Sequence, residues 1–389
     1  MLVIALSKIC CYLSKCGSFK RGSDNTTWTL KCKYYEFVGS LINTIVRALM
    51  KALTDANHEL HDTLLITARN CGCVPLFIIE RQILNIFLIT ILHSTSSSAA
   101  VAFATTAYHD IAKFLNVSPK VLYIRYKKDF LKLIIQCAVH NFIHYSYNMA
   151  TSIHRVAKCI GYEGSRQLLC KDGHYAVCFL LPFIIDVPNA RTLLHDIAEL
   201  TSMDEKQMLK EYFPYICSYA FLNMPLATAT ECLRLVSKIT QTNLSLLTRQ
   251  SFMGIFEELI LNFHESPKKI VGLLKIISDY DSNADKNYVT HKGIESYLNL
   301  RLHGILVNFD IKLGLKSDEH TQQSALASLA ALMEYMGAQY LTPLRYKILA
   351  TLRTSLGFKR PGFRPLVCDA WNAFIHKYVI KIIMFANNE

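Results

Sequence analysis

The sequence predicts an all-α fold, an α-α superhelix of stacked helix pairs, and three observations predict it. Gly 15 and Pro 10 in 389 residues make about 6% of the chain against about 12% on average. That is too few turn residues for a many-stranded sandwich or barrel. Apolar residues recur at spacings of three and four along almost the whole chain, the mark of amphipathic helices. Finally, His109-Asp110-Ile111-Ala112 returns as His195-Asp196-Ile197-Ala198, 86 positions later.

Each copy of that tetrapeptide is followed by a short polar segment and a second helical pattern, and Tyr126 is matched by Tyr212 at the same offset. Half of 86 is 43, inside the range of about 40–47 residues for HEAT-type helix pairs. Such arrays stack pair upon pair, each touching mainly its neighbours, and leave long surfaces for partners.

Helix starts are marked at Ser118-Pro119, Ser266-Pro267 and Thr342-Pro343, each an N-cap hydroxyl before a proline at the first helical position. Breaks are expected at Gly161–Gly164, Asp186–Asn189, Asp281–Asn287 and Gly314–His320. Near the end, Leu326, Leu329, Met333, Met336 and Tyr340 form one apolar stripe, and Leu344, Ile348, Leu352 and Leu356 another. Helix is expected throughout, with no sheet.

Hydrophobic content of 51% with 19% charged residues supplies a large core and excludes wholesale disorder. Mean hydropathy is +0.22, so a membrane span must be weighed. Gln82 to His109 carries no Asp, Glu, Lys or Arg, but its most apolar part, Ile83 to Leu92, is half the length of about 20 residues a span needs and ends in His93-Ser94-Thr95-Ser96-Ser97-Ser98. Buried helices and no membrane partner are the expectation. Met1 to Cys16 is apolar without a preceding basic segment, so no signal peptide is expected. The 13 cysteines cannot all pair with one another; Cys137, Cys159, Cys178, Cys217 and Cys232 sit in apolar helical runs, as buried thiols in a reducing compartment would.

Motifs for chemistry are sparse. The two His-Asp doublets raise an HD-type metal phosphohydrolase, but equivalent positions two repeats apart are too distant to share an ion. His58-Glu59-Leu60-His61-Asp62 misses the zincin spacing, which needs its second histidine four residues after the first. Cys170, His174 and Cys178 share a helical face and Cys71-Gly72-Cys73 adds two thiols, yet neither has the paired spacing of structural zinc sites. No P-loop, dinucleotide fingerprint or kinase signature occurs. No catalytic, cofactor-binding or metal residue is therefore assigned.

The clearest charge feature is C-terminal. From Tyr335 to Cys368 no acidic residue occurs, while Arg345, Lys347, Arg353, Lys359, Arg360 and Arg364 do. Arg345 and Lys347 flank the apolar 344/348/352/356 register, and Lys359, Arg360 and Arg364 are expected in a following Gly/Pro loop with Trp371 packed behind. Such a stretch is either a contact for an acidic protein segment or nucleic acid, or a solvated helix face whose charges are balanced by neighbouring repeats.

A resemblance adds to this. Leu332-Met333-Glu334-Tyr335-Met336-Gly337, Leu341-Thr342-Pro343-Leu344-Arg345-Tyr346-Lys347, Thr351-Leu352-Arg353-Thr354-Ser355-Leu356 and Cys368-Asp369-Ala370-Trp371 together resemble the UME domain of ATR-type checkpoint kinases, within the phosphatidylinositol-3-kinase-related family. Lys51 to Asn57, Glu59 to Leu65, Leu247-x-Arg249-Gln250-x-Phe252, Tyr297-Leu298 and Gly304-Ile305-Leu306 are similar to ATR segments in the same order. The resemblance covers residues 45 to 375. It divides the chain into an unmatched 1–44, HEAT-type (armadillo-like) helical repeats over 45–290 and a UME-like helical domain over 291–389.

The resemblance implies a non-catalytic scaffold segment of a nuclear serine/threonine kinase acting in the DNA damage checkpoint and DNA repair. It implies a coiled-coil regulatory subunit as partner, and ATP with Mg or Mn only for a kinase domain this sequence lacks. Stopping at Glu389 without FAT or kinase regions, the sequence is expected to be a gene-model fragment or a truncated product. A free-standing HEAT-repeat adaptor is the first alternative, and an HD-type metal phosphohydrolase the enzyme-class one.

Overall fold

The computed structural model describes residues 19–21, 28–30, 80–92, 98–114, 116–139, 149–358 and 363–386. The chain divides into two compact units, Met1–Asp204 and Glu205–Glu389.

In the first unit, strands β1 (Phe19–Arg21) and β2 (Trp28–Leu30) pair antiparallel, with Phe19 opposite Leu30 and Arg21 opposite Trp28. This corrects the expectation of helix throughout. The sequence between the strands, Gly22-Ser23-Asp24-Asn25-Thr26-Thr27, is rich in turn formers, and the flanking aromatics and threonine favour strand. Among the described residues six helices follow: α1 (Glu80–Leu92), α2 (Ser98–Phe114), α3 (Pro119–Val139), α4 (Met149–Cys159), α5 (Ser165–Ile184) and α6 (Pro188–Thr201). The serine-rich break proposed from sequence falls at the gap between α1 and α2, mostly outside the described residues.

The second unit holds α7 (Glu205–Glu211), α8 (Phe213–Asn223), α9 (Leu226–Thr240), α10 (Leu244–Gln250), α11 (Phe252–Leu261) and α12 (Pro267–Ile277). It continues with α13 (Tyr288–Lys292), α14 (Ile294–Leu313), α15 (Glu319–Tyr335), α16 (Ala338–Leu341), α17 (Arg345–Ser355) and α18 (Phe363–Ala386). Within each unit the principal packing partners of a helix are near neighbours in the chain: α5 lies on α3 and α6, α11 on α8, and α15 on α14 and α18. That is the nearest-neighbour packing of a helical repeat array, and the all-α solenoid class holds.

The repeat is visible in the backbone itself. Asn116, Gly161, Ser202 and Gln241 all have positive φ, between 53° and 90°, and lie 45, 41 and 39 residues apart. Each ends the first helix of a pair (α2, α4, α6, α9) with the same two hydrogen bonds. Its own N–H reaches the carbonyl three residues back (Lys113, Lys158, Glu199, Lys238), and the next N–H reaches the carbonyl five residues back (Ala112, Ala157, Ala198, Ser237). This left-handed cap satisfies the last carbonyls of a helix and turns the chain sharply. Asn116 and Ser202 differ by 86, so the tetrapeptide echo marks two full repeats, and Gly161 caps the copy between them.

The second helix of the pair starts at once. Ser118 Oγ accepts from the Val121 N–H at 3.2 Å and Asn243 Oδ1 from the Ser245 N–H at 2.8 Å, two side-chain N-caps. Ten residues after three of the four caps the helix breaks. Tyr126 (φ −121°, ψ 18°) kinks α3, Tyr212 (φ −87°, ψ 0°) separates α7 from α8, and Ser251 (φ −98°, ψ 7°) separates α10 from α11. The Tyr126/Tyr212 match in the echo is therefore a backbone feature, repeated at Ser251.

Other expected starts differ. Ser266 precedes α12 without a side-chain cap bond. Thr342-Pro343 opens a 3₁₀ turn (Thr342–Leu344), and the Thr342 hydroxyl donates backwards to the Ala338 carbonyl at 2.6 Å. α17 begins only at Arg345, because that hydroxyl is already committed to α16. Leu326, Leu329, Met333, Met336, Ile348 and Leu352 are buried as expected, whereas Leu356, beyond the end of α17, is exposed.

Candidate functional site

The sequence pointed to cations around α17. Ile348, Thr351, Leu352 and Ser355 form its buried face, against α14 and α18. The opposite face carries Arg345, Tyr346, Ala350, Arg353 and Thr354 in solvent. Arg345 Nη2 donates to the Tyr346 hydroxyl at 3.2 Å, and its guanidinium lies 4.6 Å from the centre of that ring. Tyr346 is 71% exposed, and its phenol titrates below the ordinary range because Arg345 hydrogen-bonds and charges it.

The six predicted cations do not act as one set. Lys347 is half-buried and ion-pairs with Asp310 of α14, tying two helices together. Arg345 and Arg353 are exposed. Arg364 is exposed too, but as the second residue of α18 and not in a loop; Phe363 beside it is buried and its ring meets Phe358 at 4.6 Å, which starts the helix earlier than the Gly/Pro pattern suggested. Lys359 and Arg360 lie outside the described residues. Trp371 is half-buried, with its ring edge-on to Phe374 at 6.3 Å. The described candidate surface is thus Arg345, Arg353 and Arg364 with Tyr346. The tyrosine was legible, since it falls outside the 344/348/352 apolar register.

The other polar clusters are junctions in the packing. Asp281, in the turn before α13, has a fully buried carboxylate. Its Oδ2 accepts from Tyr297 Oη and Arg301 Nε, both at 2.9 Å, and its Oδ1 from the Asn283 N–H at 2.8 Å and from Arg301 Nη2. Four donors leave no lone pair for proton transfer. Burial, then the hydrogen bond and charge of Asp281, push the Tyr297 phenol far above its ordinary range.

Lys127 of α3 pairs with Asp172 of α5 at 3.3 Å, both side chains nearly inaccessible, and Tyr123 donates to the same carboxylate at 3.2 Å. Ser328, buried in α15, donates to the Leu261 carbonyl and contacts His264 Nδ1, each at 2.7 Å. A serine without access to solvent, its proton committed to a carbonyl, holds the α11–α12 turn and is no nucleophile.

The His-Asp doublets occupy equivalent positions, seven and six residues before their caps. The copy between them reads His154-Arg155 and the next Arg234-Leu235, so the aspartate does not follow the repeat. His109 Nε2 donates to the Cys159 carbonyl at 2.7 Å, while His195 contacts Glu199 of its own helix at 3.8 Å. Cys170 is exposed and Cys178 buried, so these thiols do not share one accessible face with His174. Among the described residues no three His, Cys, Asp or Glu side chains gather in a metal-holding group, and no helix is long and apolar enough to cross a membrane. The zincin-like run and the Cys71/Cys73 pair lie outside the described residues.

Residues 297–382 match the UME (NUC010) domain, the stretch from α14 into α18. The chain is also similar to the serine/threonine-protein kinase ATR of Drosophila melanogaster, with 23% identity over 263 residues, 64% of this chain and 10% of the relative. The chain therefore spans about a tenth of the length of the curated relative it matches. The resemblance read from the sequence is shown: this is a helical array similar to a segment of ATR-type kinases.

Proposed function

We propose that the chain is a non-catalytic helical scaffold segment of an ATR-like serine/threonine kinase of the nuclear DNA damage and replication checkpoint. The observation that supports it most is the UME match over residues 297–382, seated on α14–α18 and following helix pairs closed by one recurring cap. In this reading the array holds a kinase and a coiled-coil regulatory subunit in register, and the catalytic residues, with their ATP and metal, belong to a separate domain. The exposed cations Arg345, Arg353 and Arg364 would meet an acidic protein segment or nucleic acid, since rows of cations on a repeat array favour electrostatic, sequence-independent contacts.

The test is to sequence transcripts across and beyond the Glu389 codon, and to assay the purified 1–389 chain with ATP and Mg²⁺. The reading expects FAT and kinase exons downstream and no phosphotransfer by the short chain. Transcripts that all terminate at Glu389 would shift the chain to the free-standing adaptor reading. Phosphotransfer lost on mutating a residue of this chain would refute the scaffold reading.

A further inference from the structure

We infer that the outward face of α14 docks an acidic amphipathic helix of a partner protein. The inner face of α14 buries Tyr297, Leu298, Leu302, Ile305, Leu306, Phe309 and Leu313. Its outer side carries a row of exposed apolar side chains, Leu300 at 49%, Val307 at 40% and Ile311 at 65%, with the exposed Asn299 and His303 beside it and Leu315, 98% exposed, just past the end. Spacings of seven and four residues put Leu300, Val307 and Ile311 in one line on the helix, whereas Leu315 follows the extended Gly314 and stands outside that register. A row of exposed apolar side chains on the outer side of a packed helix marks an interaction site.

Gly304 lies in the middle of that line. It is exposed, its backbone is helical, and a Cβ added there would meet no atom within 4 Å. Neither conformation nor internal packing calls for glycine, which is a poor helix former. A bare backbone between Leu300 and Val307 leaves room for another helix to approach closely. α12, which packs on α14, repeats the pattern: Gly272 also has open space, beside an Ile276 that is 64% exposed.

Charge selects the occupant. The exposed or half-exposed charges from α13 to the turn after α14 include Lys292, Lys312 and Lys316. The acids of the same stretch are engaged internally: Asp310 with Lys347, Glu295 accepting from the Gly337 N–H at 3.1 Å, and Asp318 accepting from the Thr321 N–H at 3.0 Å. On α12, Lys268, Lys269 and Lys275 are exposed, with the exposed acids Glu265 and Asp279 just beyond its two ends. An apolar row in a stretch whose exposed charges are cations complements a helix with leucines on one stripe and carboxylates beside it.

The experiment uses the full chain and two fluorescent helical peptides. Both carry leucine at i, i+4, i+7 and i+11; one has glutamate at the flanking positions, the other lysine. The glutamate peptide is expected to bind saturably and the lysine peptide at least about tenfold more weakly. Gly304→Leu and Ile311→Asp should each weaken the glutamate peptide by about tenfold or more. A Cβ at Gly304 meets no internal atom within 4 Å and leucine improves helix propensity, so the Tm of Gly304→Leu should not fall and weakened binding cannot be laid to misfolding. Absence of binding by the wild-type chain, equal binding of both peptides, or affinity unchanged in both variants would overturn the proposal. So would self-association of the wild-type chain abolished by Ile311→Asp, which would make a second copy the occupant. The inference stands on the surface of α14 alone, so its failure would leave the kinase-scaffold reading untouched.

Discussion

Asp281 shows how much one buried carboxylate can hold. It joins the turn before α13 to Tyr297 and Arg301 of α14, while the Arg301 guanidinium also lies 5.8 Å from the Phe252 ring of α11. Removing one partner of a buried ion pair leaves the other charge unsolvated. Arg301→Ala should therefore lower stability by about 3 kcal/mol in urea titration, with a larger loss than Lys347→Ala, whose bridge to Asp310 is about one-third exposed and screened.

Thiols give a second residue-scale test. Burial pushes Cys159 and Cys217 up to about 12 from 9.0, whereas Cys170 and Cys368 are exposed. Iodoacetamide should label the exposed pair in the native chain and reach Cys159 and Cys217 only after unfolding. The folded-state values lie above the unfolded ones, so this contribution to stability is intact below pH 9 and declines as pH rises from about 9 to about 12. A urea midpoint that held steady through that window would contradict the assignment of these thiols as buried and neutral.

At the scale of elements, the left-handed caps make opposite predictions for neighbouring repeats. Gly161 has φ +90°, a backbone that a side chain strains, so Gly161→Ala should destabilise by about 1 kcal/mol. Ser202 holds the equivalent place at φ 57°, and Ser202→Gly should stabilise by up to about 1 kcal/mol. On α14, where glycine is helical and unconfined, Gly304→Ala should raise stability by about 1 kcal/mol. Thermal melts of the three variants read all signs at once. A Gly304→Ala variant less stable than the wild type would show that the bare backbone serves the fold itself.

For the whole molecule, the packing of near neighbours leaves long faces in solvent, and two of them differ in chemistry. The α17–α18 face presents Arg345, Arg353 and Arg364 with the exposed Tyr346, and the α14 face presents Leu300, Val307 and Ile311. Replacing Arg345, Arg353 and Arg364 together with serine should leave folding intact. If that face binds a polyanion, the salt dependence of binding should flatten by roughly one unit of slope for each phosphate no longer neutralised, measured as affinity for heparin or single-stranded DNA across a salt titration. A slope identical in the triple variant would return these arginines to the status of solvated charges.

The sequence by itself determined the helical class, the buried thiols and the repeat length, because these follow from composition, apolar spacing and one echo. It held more than the echo used. Ile111-Ala112-Lys113, Val156-Ala157-Lys158, Ile197-Ala198-Glu199 and Val236-Ser237-Lys238 repeat a β-branched, small, charged order before each cap, a signal too short to stand out until the caps align it. The fate of each charge was decided only in three dimensions. Lys347 reads like Arg345 in the chain, yet one meets Asp310, 37 residues away, and the other lies exposed against the ring of its neighbour Tyr346. Lys127 finds Asp172 across two helices, and Thr342 turns its hydroxyl backwards. The 3.6-residue period of a helix places apolar residues from local information alone, whereas an ion pair depends on which helix lies alongside, and that is settled by packing.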